Sequence, residues 1–309
     1  MSVTRSTLIG GPAYVGFNSK IIQFATDLKL DVPVKWGDIE TALYGKLDKI
    51  YEDLVLKCSG APLFYDTAQL ATMFPYIGAA IGTNYPGSVD LPCTINANNG
   101  DIFTMTSGLV GKMPDFTLGV DGPIMGEMEF WGVIGNSMDP TTASSYFSQN
   151  TGAYANPAVP GTATLGRQEF TAAWGSFAGF TSFQAQDKWS ISHELELTPI
   201  TIQGRTRCFK LSSYRAMAKC RPQGPTAAQI DAAMLDQGAG AYSGSVLSGN
   251  AANLVITGSQ SMTVTIGNAG MVSEGFIFGG KQLRAGEVGW VSARNISAGG
   301  SPTPALQLA

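Results

Sequence analysis

The chain reads as one domain written twice. Its N-terminal half carries Thr104-Met105-Thr106, a Gly-rich stretch, then Gly126-Glu127-Met128-Glu129-Phe130. Its C-terminal half carries Thr263-Val264-Thr265, another Gly-rich stretch, then Gly286-Glu287-Val288-Gly289-Trp290. Lys57-Cys58 returns as Lys219-Cys220, and Ala68-Gln69-Leu70 as Ala228-Gln229-Ile230, so four landmarks keep a shift between 159 and 162 residues. Solenoid units run to roughly 20–50 residues, so a repeat of this length is a duplicated domain. The 309 residues suffice for two domains of ordinary size, each burying its own core. The boundaries expected are 1–136 and 172–309, with 137–171 as a linker or surface excursion and a C-terminal tail from 297. Two similar domains in one chain can stand in for two subunits of a ring.

Composition narrows the class. Hydrophobic residues make up 44% of the chain and mean hydropathy is +0.08, which suits a folded protein and not a disordered one. Charged residues are only 14%, and glycine reaches 38 residues. Few charges and many glycines suit a β-rich protein whose surfaces are covered by neighbours. No apolar run reaches the roughly 18 residues a membrane span needs, and residues 1–10 lack the apolar core of a signal peptide. A soluble protein made in a cytoplasm is expected. Charge divides unevenly: residues 1–150 hold 8 Lys and Arg against 15 Asp and Glu, and residues 151–309 hold 11 against 8. Drift after duplication would produce this, and so would an acidic copy built to meet a basic one. Cys58, Cys93, Cys208 and Cys220 show no ligand-like spacing, and with a single histidine a structural zinc is not expected. They read as buried free thiols, with Cys58 and Cys220 in matching strand positions.

Each copy shows the same order of elements. It opens with an alternating strand: Leu28, Leu30, Val32 and Val34 in the first copy, Trp189, Ile191, His193, Leu195 and Leu197 in the second. Pro33 marks an edge or a bulge. A polar connection follows, over 36–49 and 198–210, each with a small turn (Tyr44-Gly45, Gln203-Gly204). A second strand then ends at Cys58 or Cys220. A short helix comes next, with Asp66 and Thr226 as N-caps and apolar faces of Leu70, Met73 and Phe74, or Ile230, Met234 and Leu235. The remainder is β, with Asn99-Gly100 as a hairpin turn and Gly258-Ser259 in the matching place. The expected fold is mainly β: two tandem β-sandwiches or partly open barrels, each with one flanking helix.

Chemistry-bearing patterns are sparse. His193 falls on the apolar face of its strand and reads as a core residue. No G-x-S-x-G elbow or phosphate loop is present. Glu127/Glu129 and Glu194/Glu196 could each present two carboxylates on one strand face, though a solvated surface explains them as well. The basic run Arg205, Arg207, Lys210, Arg215, Lys219 and Arg221 holds only Phe209 and Tyr214 as aromatic partners, which suits an exposed strand face better than a nucleic-acid platform. No catalytic residue, cofactor or metal ligand is expected.

The order of elements nonetheless resembles a known family. An alternating strand, a polar segment with Tyr44-Gly45-Lys46-Leu47-Asp48, a second strand, a helix over 67–76 and a closing set of strands is similar to the tail tube, or major tail, proteins of tailed bacteriophages. Residues 28–58 resemble the start of that domain most closely. The resemblance implies a structural virion protein of the phage tail, assembled in the host cytoplasm. Its rings stack into a conduit for DNA from capsid to host. Family tubes are commonly sixfold from one domain per subunit, so a two-domain chain implies a homotrimer forming a pseudo-hexameric ring. The partners implied are further copies of the chain, other tail proteins and passing phage DNA held without specific binding, with no membrane. The resemblance makes the two polar segments contacts to the next ring, through Trp36, Asp38, Tyr44, Lys46, Asp48, Gln203 and Arg205. A tail-tip or baseplate ring protein could use the same domain, and a carbohydrate-binding β-sandwich module is the rival from another class.

Overall fold

A computed structural model describes residues 13–63, 70, 72–87, 89–119, 122–134, 146–152, 169–175, 179–202, 204–223, 226, 228–229, 252–259, 262–273, 276–279, 282–292 and 306–308. The fold is mainly β, in several sheets. The first half runs β1 (Ala13–Phe17), β2 (Lys20–Gln23), β3 (Lys29–Asp31), β4 (Val34–Thr41), β5 (Gly45–Leu54), β6 (Leu56–Gly60), β7 (Asn84–Tyr85), β8 (Cys93–Ala97), β9 (Asp101–Met105), β10 (Ser107–Lys112), β11 (Phe116–Gly119), β12 (Gly122–Met125), β13 (Met128–Val133) and β14 (Phe147–Thr151). The second runs β15 (Phe170–Trp174), β16 (Phe183–Gln184), β17 (Lys188–Ile202), β18 (Arg205–Cys220), β19 (Ala252–Gly258), β20 (Thr263–Ser273), β21 (Phe276–Gly279), β22 (Gln282–Ala285), β23 (Val288–Ser292) and β24 (Leu306–Leu308).

Strand pairing in the first half recurs in the second. Sheets β14-β9-β8-β1-β2 and β10-β13-β6-β3 of the first half match β24-β20-β19-β15-β16 and β20-β23-β18-β17 of the second. Strands that are broken in the first half are continuous in the second: β9 with β10 becomes β20, β3 with β4 becomes β17, and β5 with β6 becomes β18. Register agrees residue by residue. Phe130 lies opposite Cys58 as Trp290 lies opposite Ala218. Phe116 lies opposite Met125 as Phe276 lies opposite Ala285. The two register shifts of the β4–β5 hairpin, at Lys35/Trp36 and Ile39/Glu40, return in β17–β18 at Glu196/Leu197 and Ile200/Thr201. Each of these residue matches is a shift of 160 or 161 residues; β1 onto β15, with Val15 matching Ala172, is one of 157. Phe17 and Phe130 meet across the two sheets at 5.3 Å, and Trp174 and Trp290 meet in the same place at 6.4 Å.

The register corrects one sequence expectation. Cys58 faces Phe130 while Cys220 faces Val288, so the counterpart of Cys58 is Ala218 and the two cysteines are two residues out of step. The 137–171 stretch also holds structure: its β14 pairs β9 (Phe147 opposite Met105), as β24 in the C-terminal tail pairs β20 (Gln307 opposite Thr265). Their short lengths hid them in polar sequence.

The segments 36–49 and 198–210, expected as polar connections, are long antiparallel hairpins, β4–β5 and β17–β18. Exposure of both faces of the first removes the apolar–polar alternation by which a half-buried strand is read. Their turns rest on Gly45 at φ +69° and Gly204 at φ +76°, where glycine carries no Cβ penalty. Asn99-Gly100 turns β8 into β9 with Gly100 at φ +90°. Leu70, Thr72 and Met73 are helical, and the Phe74 N–H donates to the Leu70 carbonyl at 2.8 Å. At the second helical turn the Gln229 N–H donates to Thr226 Oγ1 (3.3 Å) and the Thr226 N–H to Gln229 Oε1 (3.0 Å). That reciprocal pair is a capping box. Asp66, Ile230, Met234 and Leu235 lie outside the described residues.

Candidate functional site: the contact between the two halves

The two halves are joined by backbone pairing. β11 pairs β17, with Phe116 opposite Ile191, Thr117 opposite Ser190, Leu118 opposite Trp189 and Gly119 opposite Lys188. The β11–β12 hairpin of the first half thus extends the sheet of the second, and Phe116, Leu118, Trp189 and Ile191 are all buried there. β7 pairs β18, placing Tyr85 opposite Phe209. The equivalent hairpin of the second half, β21–β22, forms a sheet of its own two strands, and among the described residues β3 pairs only β6.

Side chains complete the contact. Phe209 of β18 packs with Leu109 and Val133, flanked by Val55, Tyr85, Trp131 and Leu197. Trp131 lies 5.0 Å from Phe209, donates from Nε1 to Glu129 Oε2 at 2.8 Å, and carries Lys57 Nζ 5.0 Å over its ring. The Asp53 carboxylate accepts the Thr206 N–H at 3.2 Å and the Thr206 hydroxyl at 2.6 Å, tying β5 to the outer part of β18. His193 lies between Phe74, Phe116 and Tyr214, with ring centroids at 5.3, 6.2 and 6.0 Å. Its Nδ1 is 3.2 Å from the Tyr214 hydroxyl, and the His193 backbone N–H donates to Asp115 Oδ1 at 3.1 Å. Burial lowers the pKa of His193 to about 4 and raises that of Tyr214. Burial also raises the Asp115 carboxyl, against the opposing pull of the His193 N–H. The imidazole is thus a neutral packing group at pH 7, with Nε2 shielded from solvent and, among the described residues, without a hydrogen-bond partner. The Cys58 thiol is pushed up to about 12 by burial, which suppresses the reactive thiolate.

The carboxylate pairs are engaged locally. Glu127 meets Lys112 at 3.1 Å, Glu129 accepts from Trp131, and Glu194 lies opposite Arg215. Among the described residues no three His, Cys, Asp or Glu side chains gather as a metal site, and no helix is long and apolar enough to cross a membrane.

The residues expected to contact the next ring fall on the arms. Trp36 and Asp38 are on β4, Lys46 and Asp48 on β5, and Tyr44 at the turn between them. Arg205 opens β18, and Gln203 lies outside the described residues. Lys46 sits opposite Glu40, pairs with it at 3.5 Å, and hydrogen-bonds Asp38. Such solvated pairs are worth about 0–1 kcal/mol each. The tip is apolar and open, with Leu43 78% and Tyr44 73% exposed. The sequence reading missed Asp53, Thr206, Trp131 and the β11–β17 pairing. Only the repeat itself could have signalled them, by comparing what each half does with the same position. No family model matches the chain, and no curated protein matches it.

Proposed function

We propose that the chain is the subunit of a phage tail tube, three chains closing a ring of six similar β-units that stacks upon further rings. The observation that carries this reading is the β11–β17 pairing. It is a head-to-tail contact: one face of the first half meets a different face of the second. A heterologous contact repeated around an axis closes into a ring, where a two-fold contact stops at a dimer. Edge strands that would otherwise invite aggregation are then covered by the neighbour. The acidic first half and the basic second half favour the alternating order. The arms, Tyr44, Lys46, Asp48 and Arg205 at their outer ends, serve as contacts along the stacking axis. DNA sliding through such a conduit must not be held, because each phosphate neutralised by Lys or Arg adds affinity.

Electron cryomicroscopy of the purified full-length protein tests the reading. Stacked rings or tubes with three chains per ring are expected. Finite single rings would move the chain to a tail tip or baseplate, and a protein monomeric at all concentrations would overturn self-assembly.

A further inference from the structure

We infer that the seam between chains copies the seam within a chain: the β21–β22 hairpin of one molecule adds to edge strand β3 of the next. This rests on the reading that the chain assembles with itself, and it specifies where. Within the chain, β11 pairs β17 with Phe116 opposite Ile191. β21 corresponds to β11, because the two hairpins share a register one repeat apart. Leu30 corresponds to Ile191, because Leu30 faces Cys58 as Ile191 faces Ala218. Carrying the internal contact forward by one repeat therefore sets Phe276 opposite Leu30, Ile277 opposite Lys29, Phe278 opposite Leu28 and Gly279 opposite Asp27 of the next chain. The positions that match the buried Phe116 and Leu118 hold Phe276 and Phe278.

Burial differs between the halves as this seam requires. Ile191, His193 and Leu197 are covered by the first half: Ile191 is fully buried under β11, His193 lies against Phe74 and Phe116, and Leu197 packs on the Leu109–Val133 cluster. Their counterparts in the first half are Leu30, Val32 and Trp36, which are 37%, 55% and 55% exposed. Three apolar side chains stand open in one half at the places where the other half is covered. The same covering element, β21–β22, is present in the chain and, among the described residues, forms a sheet only with itself. A second copy of this chain fits the surface, and the internal contact supplies its register. The seam assigns Trp36 to the contact within the ring and leaves the arm tips for stacking.

Cross-linking tests it on the full chain in a Cys208→Ser background, since Cys208 is the one half-exposed thiol. Residues directly opposite in an antiparallel pair come within disulfide range. Thr117→Cys with Ser190→Cys is the internal control and should close within one chain under a mild thiol oxidant. Ile277→Cys with Lys29→Cys should instead yield covalent species of two and three chains on a denaturing gel, with neither single variant doing so. A ladder ending at two chains would support the seam and overturn the three-chain ring. Assembled particles with a closed control and no Ile277–Lys29 link would overturn the seam and leave the ring standing. Leu30→Lys, on an exposed side chain, should keep the native thermal transition and lose assembly; full assembly by that variant would also overturn the proposal.

Discussion

At the scale of single residues, His193 reports on the contact between the halves. It is neutral in the folded chain with a pKa of about 4, against about 6.5 when unfolded. Above pH 6.5 both states are neutral and the residue costs nothing. Between 6.5 and 4 only the unfolded state takes up the proton, so stability falls as pH falls, by about 3 kcal/mol across the window, and the loss stops below 4. Tyr214 faces the ring and Asp115 accepts the backbone N–H of the same residue; burial pushes both toward their neutral forms. Urea unfolding at pH 7 and pH 4.5 should show this fall, and His193→Phe should flatten it by most of that amount; an unchanged slope would remove the residue from the account. Gly111 makes a second point of leverage. A Cβ there would lie 2.1 Å from the Trp131 ring, so Gly111→Ala must push the indole off Glu129 and Phe209. Overpacking of this kind costs roughly 1–3 kcal/mol. Gly87→Ala, where nothing lies within 4 Å of the added carbon, should stay within about 0.5 kcal/mol in the same urea titration.

At the scale of elements, the two arms share a plan and differ in surroundings. Both carry the same two bulges, which raise local twist, but Phe209 and Leu211 of the second arm are buried while residues 38–49 of the first arm are all exposed. An exposed hairpin with an apolar tip reads as a contact awaiting a partner. Leu43→Asp with Tyr44→Asp adds charge where no packing is lost. It should leave the melting temperature within a degree or two and stop stacking, so that electron microscopy finds single rings; tubes of normal length would remove the tip from the axial contact. The local elements were legible because their signals are local: Asn99-Gly100 as a turn, Thr226 as a cap, and Trp189 and Ile191 alternating onto a buried face. The first arm was not, because solvent on both sides erases periodicity and leaves only glycine at the turn. Nor was β11 against β17, since edge pairing is a backbone event between residues some 70 positions apart that side-chain pattern does not encode. The described candidate contact residues lie on the two hairpins, while Asp53, Trp131 and His193 were invisible as contact residues because their partners come from the other half.

At the scale of the whole molecule, the halves are unequal in self-sufficiency. The second half lacks part of its own cover: Ile191 lies under a hairpin that belongs to the first, and the same hairpin pairs the backbone of Trp189, whose ring packs on Phe183 and Trp290. In the first half Leu30, Val32 and Trp36 are already exposed in the full chain, so cutting the chain uncovers nothing further at those positions. Fully burying a large apolar side chain contributes roughly 1.5–3 kcal/mol, so residues 169–309 expressed alone should be several kcal/mol less stable than in the full chain and prone to associate through β17. Residues 1–152 expressed alone should fold, with an acidic surface that opposes first-to-first association. Mixing the two pieces restores every contact but the covalent one. Native mass spectrometry of the mixture should therefore show equal numbers of the two pieces, three of each in the complete ring. Raising salt should slow their association more than it weakens the finished ring, because charge orders the encounter while strand pairing and apolar burial hold the seam. Stable assemblies of the first piece alone would mean that its open edge accepts its own hairpin β11–β12. The alternation of halves would then be set by the chain connection and not by the surfaces that meet.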